Sequence, residues 1–229
     1  MLESFHGLPW KDIIKWDVEN WSDGPVFWFT KTHLELHKCK ALEIGAKEGG
    51  ISLLLAKAGM EVICSDLKMP SQKAMTLHSS YGVQEKVTYA SINALDIGFP
   101  EASFDLVVFK SVLGALKSIE NQQKMFSEIY RILKPSGEVW FADNLTASLL
   151  HMTARKLFIK WGKSWRYISP KEIKQFCKSF KEVKLTYGGL LGVFGRSELQ
   201  RQVLGKIDKK LAFIIPTRWK YIVFGIARK

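Results

Sequence analysis

Along this chain, short runs of consecutive apolar residues alternate with stretches in which apolar positions return every three or four residues. The run Ala41-Leu42-Glu43-Ile44 breaks at Gly45, and Ile51, Leu54, Leu55 and Ala58 then follow a helical period. Val62-Ile63-Cys64-Ser65 is the next run and ends at Asp66. The pattern predicts strands near 41–45, 61–65, 86–91, 104–109 and 138–143, with helices between them. Such alternation over residues 39–145 implies right-handed crossovers and a parallel sheet covered on both faces. Two more strand candidates, Val183–Tyr187 and Lys220–Ile226, flank a Gly-rich loop and a helical pattern near 197–211. Residues 146–180 read as largely helical. From Ser148 to Trp161 the apolar positions Leu150, Ala154, Leu157, Phe158 and Trp161 share one face, with Lys156, Lys160 and Lys163 across from it. That stripe suits packing on the core, with the lysines open to a substrate, or a resting place on an anionic membrane.

The decapeptide Ala41 to Gly50 carries the chemistry. A buried strand there delivers a glycine turn to a helix N-terminus, where bare amides and the helix dipole face a small polar ligand. Asp66, at the tip of the next strand, stands where such sheets hold a ribose diol. A dinucleotide site wants Gly-x-Gly-x-x-Gly, but here Lys47 occupies the middle position between Gly45 and Gly49. Glu43, two residues before the turn, would repel a pyrophosphate and suit an ammonium instead. S-adenosylmethionine has an ammonium, a ribose and an adenine, and no phosphate.

At this point the chain resembles the class I S-adenosylmethionine-dependent methyltransferases, and the likeness continues in order over residues 40–145. Asn93 to Pro100 looks like the family's adenine-contacting turn, Phe104 to Phe109 its fourth strand, and Arg131 to Gly137 the helix-turn before its fifth strand, Glu138 to Asp143. The departures are Lys47 and Ser136 where glycines are usual, and Asn93 for an Asp. The resemblance implies a doubly wound α/β fold with a mainly parallel seven-stranded sheet, an antiparallel last strand at its end, and helices on both faces. It implies one domain: a cap over 1–38, a cofactor core over 39–145, and acceptor-side helices with the last two strands over 146–229. It also implies cofactor contacts from Glu43, Gly45, Ala46, Lys47, Gly49, Asp66, Leu67, Asn93, Ala94 and Lys110.

Composition narrows the setting. The 229 residues suffice for one sizeable core, and no signal peptide or membrane span is visible. Cys39, Cys64 and Cys177 match no zinc or disulfide pattern and read as reduced thiols in a cytoplasm. Charge is uneven: residues 1–150 hold 15 basic and 18 acidic side chains, whereas 151–229 hold 19 basic and 4 acidic. A cationic C-terminal third points to an anionic partner or to a merely soluble basic face. Peripheral contact with the inner membrane face is one such expectation.

Lys110, after five apolar residues, is expected beside the methyl-donor site, either gripping an acidic acceptor or pairing with Asp143. Methyltransferases that fix a catechol through magnesium carry an Asp there with Asp-Asn after the next strand. This chain has Asp143-Asn144 but a cation at 110, so no catalytic metal is expected. His151 is the best-placed histidine for a general base, with a surface histidine as its bland alternative. Trp21, Trp28, Asn144, Trp165 and Arg166 are the expected acceptor-binding residues, since aromatic faces beside cations suit sugars and anions. The function expected is methyl transfer to an O or N atom of a small or glycan-like, anionic acceptor. The alternatives are an RNA methyltransferase using the basic third, and a non-catalytic S-adenosylmethionine-binding protein.

Overall fold

A computed structural model describes residues 4–158 and 165–229, with side chains except those of 156–158; Lys160, Trp161 and Lys163 lie outside the described residues. Seven strands form one sheet: β1 Lys40–Ile44, β2 Glu61–Asp66, β3 Val87–Ser91, β4 Phe104–Lys110, β5 Leu133–Asn144, β6 Glu182–Gly188 and β7 Ile222–Arg228. Their order is β3-β2-β1-β4-β5-β7-β6. The first five are parallel, and β7 runs antiparallel to both β5 and β6. The expectation that the antiparallel seventh strand closes the sheet is corrected: β7 is inserted between β5 and β6. The sequence explains why. Six residues of β7 are buried, as a central strand requires, whereas β6 alternates half-exposed polar and apolar positions.

Helices cover both faces: α1 Asp23–Lys31, α2 Gly50–Lys57, α3 Gln72–Ser80, α4 Ile119–Ile132, α5 Leu149–Phe158, α6 Pro170–Phe176 and α7 Glu198–Leu211. Neighbouring strand positions belong to opposite cores. Trp140 and Ala142 of β5 join Leu53, Leu54, Trp28 and Phe224, whereas Val139 and Phe141 join Phe109, Phe126 and Ile129. α4 is capped by Ser118, whose hydroxyl accepts from the Asn121 amide, and α6 by a reciprocal Ser169–Glu172 box. The Trp-rich leader packs as part of a core. Trp10, Trp21 and Trp28 are buried with α2, and Trp28 stacks on Trp140 at 6.1 Å. Among the described residues no helix is long and apolar enough to cross a membrane.

Candidate active site at the carboxyl ends of the strands

Gly45 and Gly49 carry φ of 74° and 75°, the left-handed region in which glycine alone is unstrained. Each also lacks room for a side chain: a Cβ would lie 2.6 Å from Val112 Cγ2 at Gly45 and 2.7 Å from His78 Nε2 at Gly49. Between them Lys47 also adopts φ 52°. The turn is stapled to the next strand, because the Ala46 amide donates to the Ser65 carbonyl (2.8 Å) and the Lys47 amide to Asp66 Oδ2 (3.0 Å). Asp66 Oδ1 accepts from the Leu67 amide at 2.7 Å. A carboxylate offers about four acceptor positions, so two such bonds leave Asp66 able to receive a diol. Leu67 beside it is 69% exposed, an apolar surface at the mouth of the turn. Asn93 is exposed and its side-chain oxygen accepts from the Leu95 amide, shaping the turn after β3, while Ala94 is buried beneath. Glycine turn, strand-tip acid and exposed apolar residue together fit a nucleoside with an amino-acid tail.

Glu43 has a partner the sequence reading did not anticipate. Its Oε2 accepts from the Ser52 amide (2.7 Å) and hydroxyl at the N-terminus of α2. Burial pushes its pKa up to about 7, against the lowering by Ser52. It therefore braces the turn against the helix. His78, singled out by no pattern, does the same from α3: its Nε2 pairs with the Gly49 carbonyl and its Nδ1 with the Tyr89 hydroxyl.

Lys110 is half-buried, with its ammonium 4.9 Å from the Trp21 ring centre and its pKa lowered by burial. Its expected ion pair with Asp143 does not form. Asp143 instead accepts from the amides of Val112, Leu113 and Asn144 at 2.7–2.9 Å, and so holds the loop that seats Val112 against Gly45. His151 corrects both sequence readings. It is buried, its Nε2 donates to the Leu190 carbonyl (2.8 Å), and its Nδ1 accepts from the Ser148 hydroxyl (2.7 Å). Neither nitrogen is open to take a proton from a substrate. Trp28 is a core residue rather than an acceptor contact, because its stacking on Trp140 buries it. Arg166 is also corrected: its guanidinium is spent on Gln122 and Glu172, tying the segment to α4 and α6. Trp165 packs its ring over Gly114, and Asn144 reaches the Ser111 hydroxyl at 3.4 Å. Trp21 is likewise a core residue, 2% exposed and lying under Lys110, and its indole N–H has no hydrogen-bond partner among the described residues.

Arg155 was missed, since one Arg in a basic third carries no signal. It is 4% exposed, stacks 3.9 Å from the Tyr167 ring, and donates from Nη1 to the Leu145 carbonyl just past β5. Among the described residues no carboxylate pairs with it and its Nη2 has no partner, and burial lowers its pKa to about 10. Beyond it, Ala147, Ser148, His151, Leu190, Phe194 and Trp219 line much of a cavity of about 570 Å³ with mainly apolar walls.

Comparison with known proteins agrees with this geometry. Residues 42–141 match the family model of a methyltransferase domain. A protein of Haemophilus influenzae is 31% identical over 116 residues, 50% of this chain and 46% of its own length. The demethylmenaquinone methyltransferase of Listeria monocytogenes is 30% identical over 107 residues, 43% of this chain and 42% of its own. The chain thus spans about half the length of the curated relatives it matches. In fold, phosphoethanolamine N-methyltransferase 2 of Haemonchus contortus, solved with S-adenosyl-L-methionine, superposes with a TM-score of 0.64 at 19% identity, covering 91% of this chain and 52% of that one.

Proposed function

We propose, from the premise that residues 42–141 are a class I S-adenosylmethionine-dependent methyltransferase domain, that this chain transfers a methyl group to an O or N atom of a small amphiphilic acceptor bearing an anionic group. The observation that carries the reading is the turn from Gly45 to Gly49, left-handed at three positions and stapled to Asp66. Asp66 receives the ribose hydroxyls, Leu67 and the Asn93–Ala94 turn flank the base, and the glycine turn faces the amino-acid end. When bound, the cofactor supplies a methyl group on a sulfonium, and the protein's part is alignment of the acceptor and exclusion of water.

The acceptor side is inferred from two features. Lys110 and Arg155 are cations with no ion-pair partner among the described residues, and they suit an anionic group. The cavity past β5 has apolar walls, which favours an amphiphile over a bare glycan. The named substrates of the Listeria and Haemonchus proteins differ from each other, so the fold alone names no acceptor. Titration calorimetry with S-adenosylmethionine tests the cofactor assignment. Asp66→Ala is expected to weaken binding by roughly 1–3 kcal/mol, the cost of a buried hydrogen bond left unmet; an unchanged affinity would refute the ribose assignment. Incorporation of labelled methyl from the cofactor into a lipid-soluble fraction of host extract, reduced by Arg155→Gln, is the expected sign of the acceptor class.

A further inference from the structure

Helix α7 is built inside out. Four of its charged residues, Glu198, Arg201, Asp208 and Lys209, face the protein: Arg201 bonds Glu198 (2.8 Å), and Lys209 pairs with Asp23 (3.0 Å) and Glu19 (3.5 Å). Asp208 accepts from the amides of Leu190, Leu191 and Gly192, and Glu198 from those of Asp17 and Val18. The outward face holds Leu199, Val203 and Ile207, spaced four apart, of which Leu199 is 75% and Val203 60% exposed. The ridge continues into the following loop, where Phe213 is 87% exposed and Ile214 and Trp219 are also bare. A helix normally turns such a stripe inward, so an outward one needs a partner.

The charge around the ridge says which partner. From Leu199 to Lys220 the sequence holds one acid, Asp208, and that carboxylate points inward. Lys206 and Lys210 are exposed and interleave with the leucine-valine-isoleucine stripe, and Arg218 is exposed beside Trp219. Long cationic stems that lie along apolar surface and lift their charges to a polar layer are the habit of interfacial helices. The mouth of the 570 Å³ cavity shares this face, through Trp219, Arg218 and the exposed Leu149 and Leu150 at the start of α5.

We propose that the outer face of α7 and the loop 212–219 form a docking surface for an anionic lipid bilayer, with the cavity opening toward the lipid. This deepens the methyltransferase reading and rests on it for its purpose, the supply of an amphiphilic acceptor; the docking itself is measured without turnover. The full chain is expected to sediment with vesicles of mixed phosphatidylglycerol and phosphatidylcholine and much less with phosphatidylcholine alone. The pair Lys206→Glu and Lys210→Glu should weaken that binding by about tenfold or more, and Val203→Glu with Ile207→Glu should remove it. Both pairs should keep the wild-type calorimetric affinity for S-adenosylmethionine, which shows that they fold. Absence of sedimentation with either vesicle, binding indifferent to both pairs, or equal binding to both compositions would overturn the proposal. So would a concentration-dependent dimer that Val203→Glu and Ile207→Glu dissolve, with no vesicle binding. Vesicle binding in a chain that takes no S-adenosylmethionine would instead leave docking standing and sink the methyltransferase reading.

Discussion

Two residues break the family's glycine pattern without breaking its backbone. Lys47 and Ser136 stand where glycines are usual, and both hold positive φ, 52° and 66°. The left-handed region costs a side-chain-bearing residue roughly 1–2 kcal/mol, against about 0.4–1 kcal/mol of extra unfolded-state entropy for glycine. Ser136→Gly, distant from the cofactor turn, is therefore expected to leave stability unchanged or raise it by up to about 1 kcal/mol, read from urea unfolding midpoints. Gly45→Ala should do the opposite, losing roughly 1–3 kcal/mol, because a methyl there meets both a left-handed backbone and Val112. At this scale the sequence was legible in part. Gly45, Gly49 and Asp66 announced themselves by type and spacing. Glu43 was found, but its bond to Ser52 nine residues on is set by how α2 returns over β1.

Among the elements, strands were easier to read than helix faces. Five parallel strands appeared close to their expected places: β1, β2, β4 and the second half of β5 each carry a short apolar run, as covering both faces of a sheet demands, whereas the edge strand β3 mixes polar and apolar positions. β5 begins at Leu133, earlier than expected, since Leu133 already pairs with Phe104 and a register irregularity, with Ser136 at positive φ, carries the chain to Glu138 opposite Leu106. Periodicity shows that a helix has two faces and is silent about which lies inside; α7 turns Asp208 and Lys209 inward and Leu199, Val203 and Ile207 outward. The loop after β4 is held by Asp143, whose carboxylate accepts three amides. Asn at 143 would bring an amide group against donors, so Asp143→Asn is expected to cost roughly 1–3 kcal/mol and to weaken cofactor affinity by loosening Val112 from Gly45. Unfolding and calorimetry on the same variant check both.

Across the whole molecule, the leader and the C-terminal third are one structure. Asp17, Asn20, Tyr221 and Asp208 form a buried hydrogen-bonded cluster, with the Tyr221 hydroxyl donating to Asp17. Burial lifts the Asp17 pKa to about 8, despite the Asn20 bond that lowers it. The folded chain thus keeps a proton that the unfolded chain releases near the ordinary carboxylate range, so this group's stabilisation fades as pH rises from about 4 to about 8 and changes little beyond. Asp17→Asn keeps an acceptor for Tyr221 and removes the titration. Its unfolding midpoint should accordingly fall less between roughly pH 5 and pH 8.5 than that of the unaltered chain; equal slopes would count against a protonated Asp17.

The amino-acid order alone determined the alternation of strand and helix, the glycine turn and the acid that follows it, because those depend on local period, backbone freedom and short spacing. The tertiary structure decided the rest. It sank Trp28 and His151, spent Arg166 on Glu172, buried Arg155 with no acid beside it among the described residues, and put the seventh strand inside the sheet. Each of these depends on which distant groups share a buried space, and burial there turns on the packing of elements up to about two hundred residues apart, as between Asp17 and Tyr221.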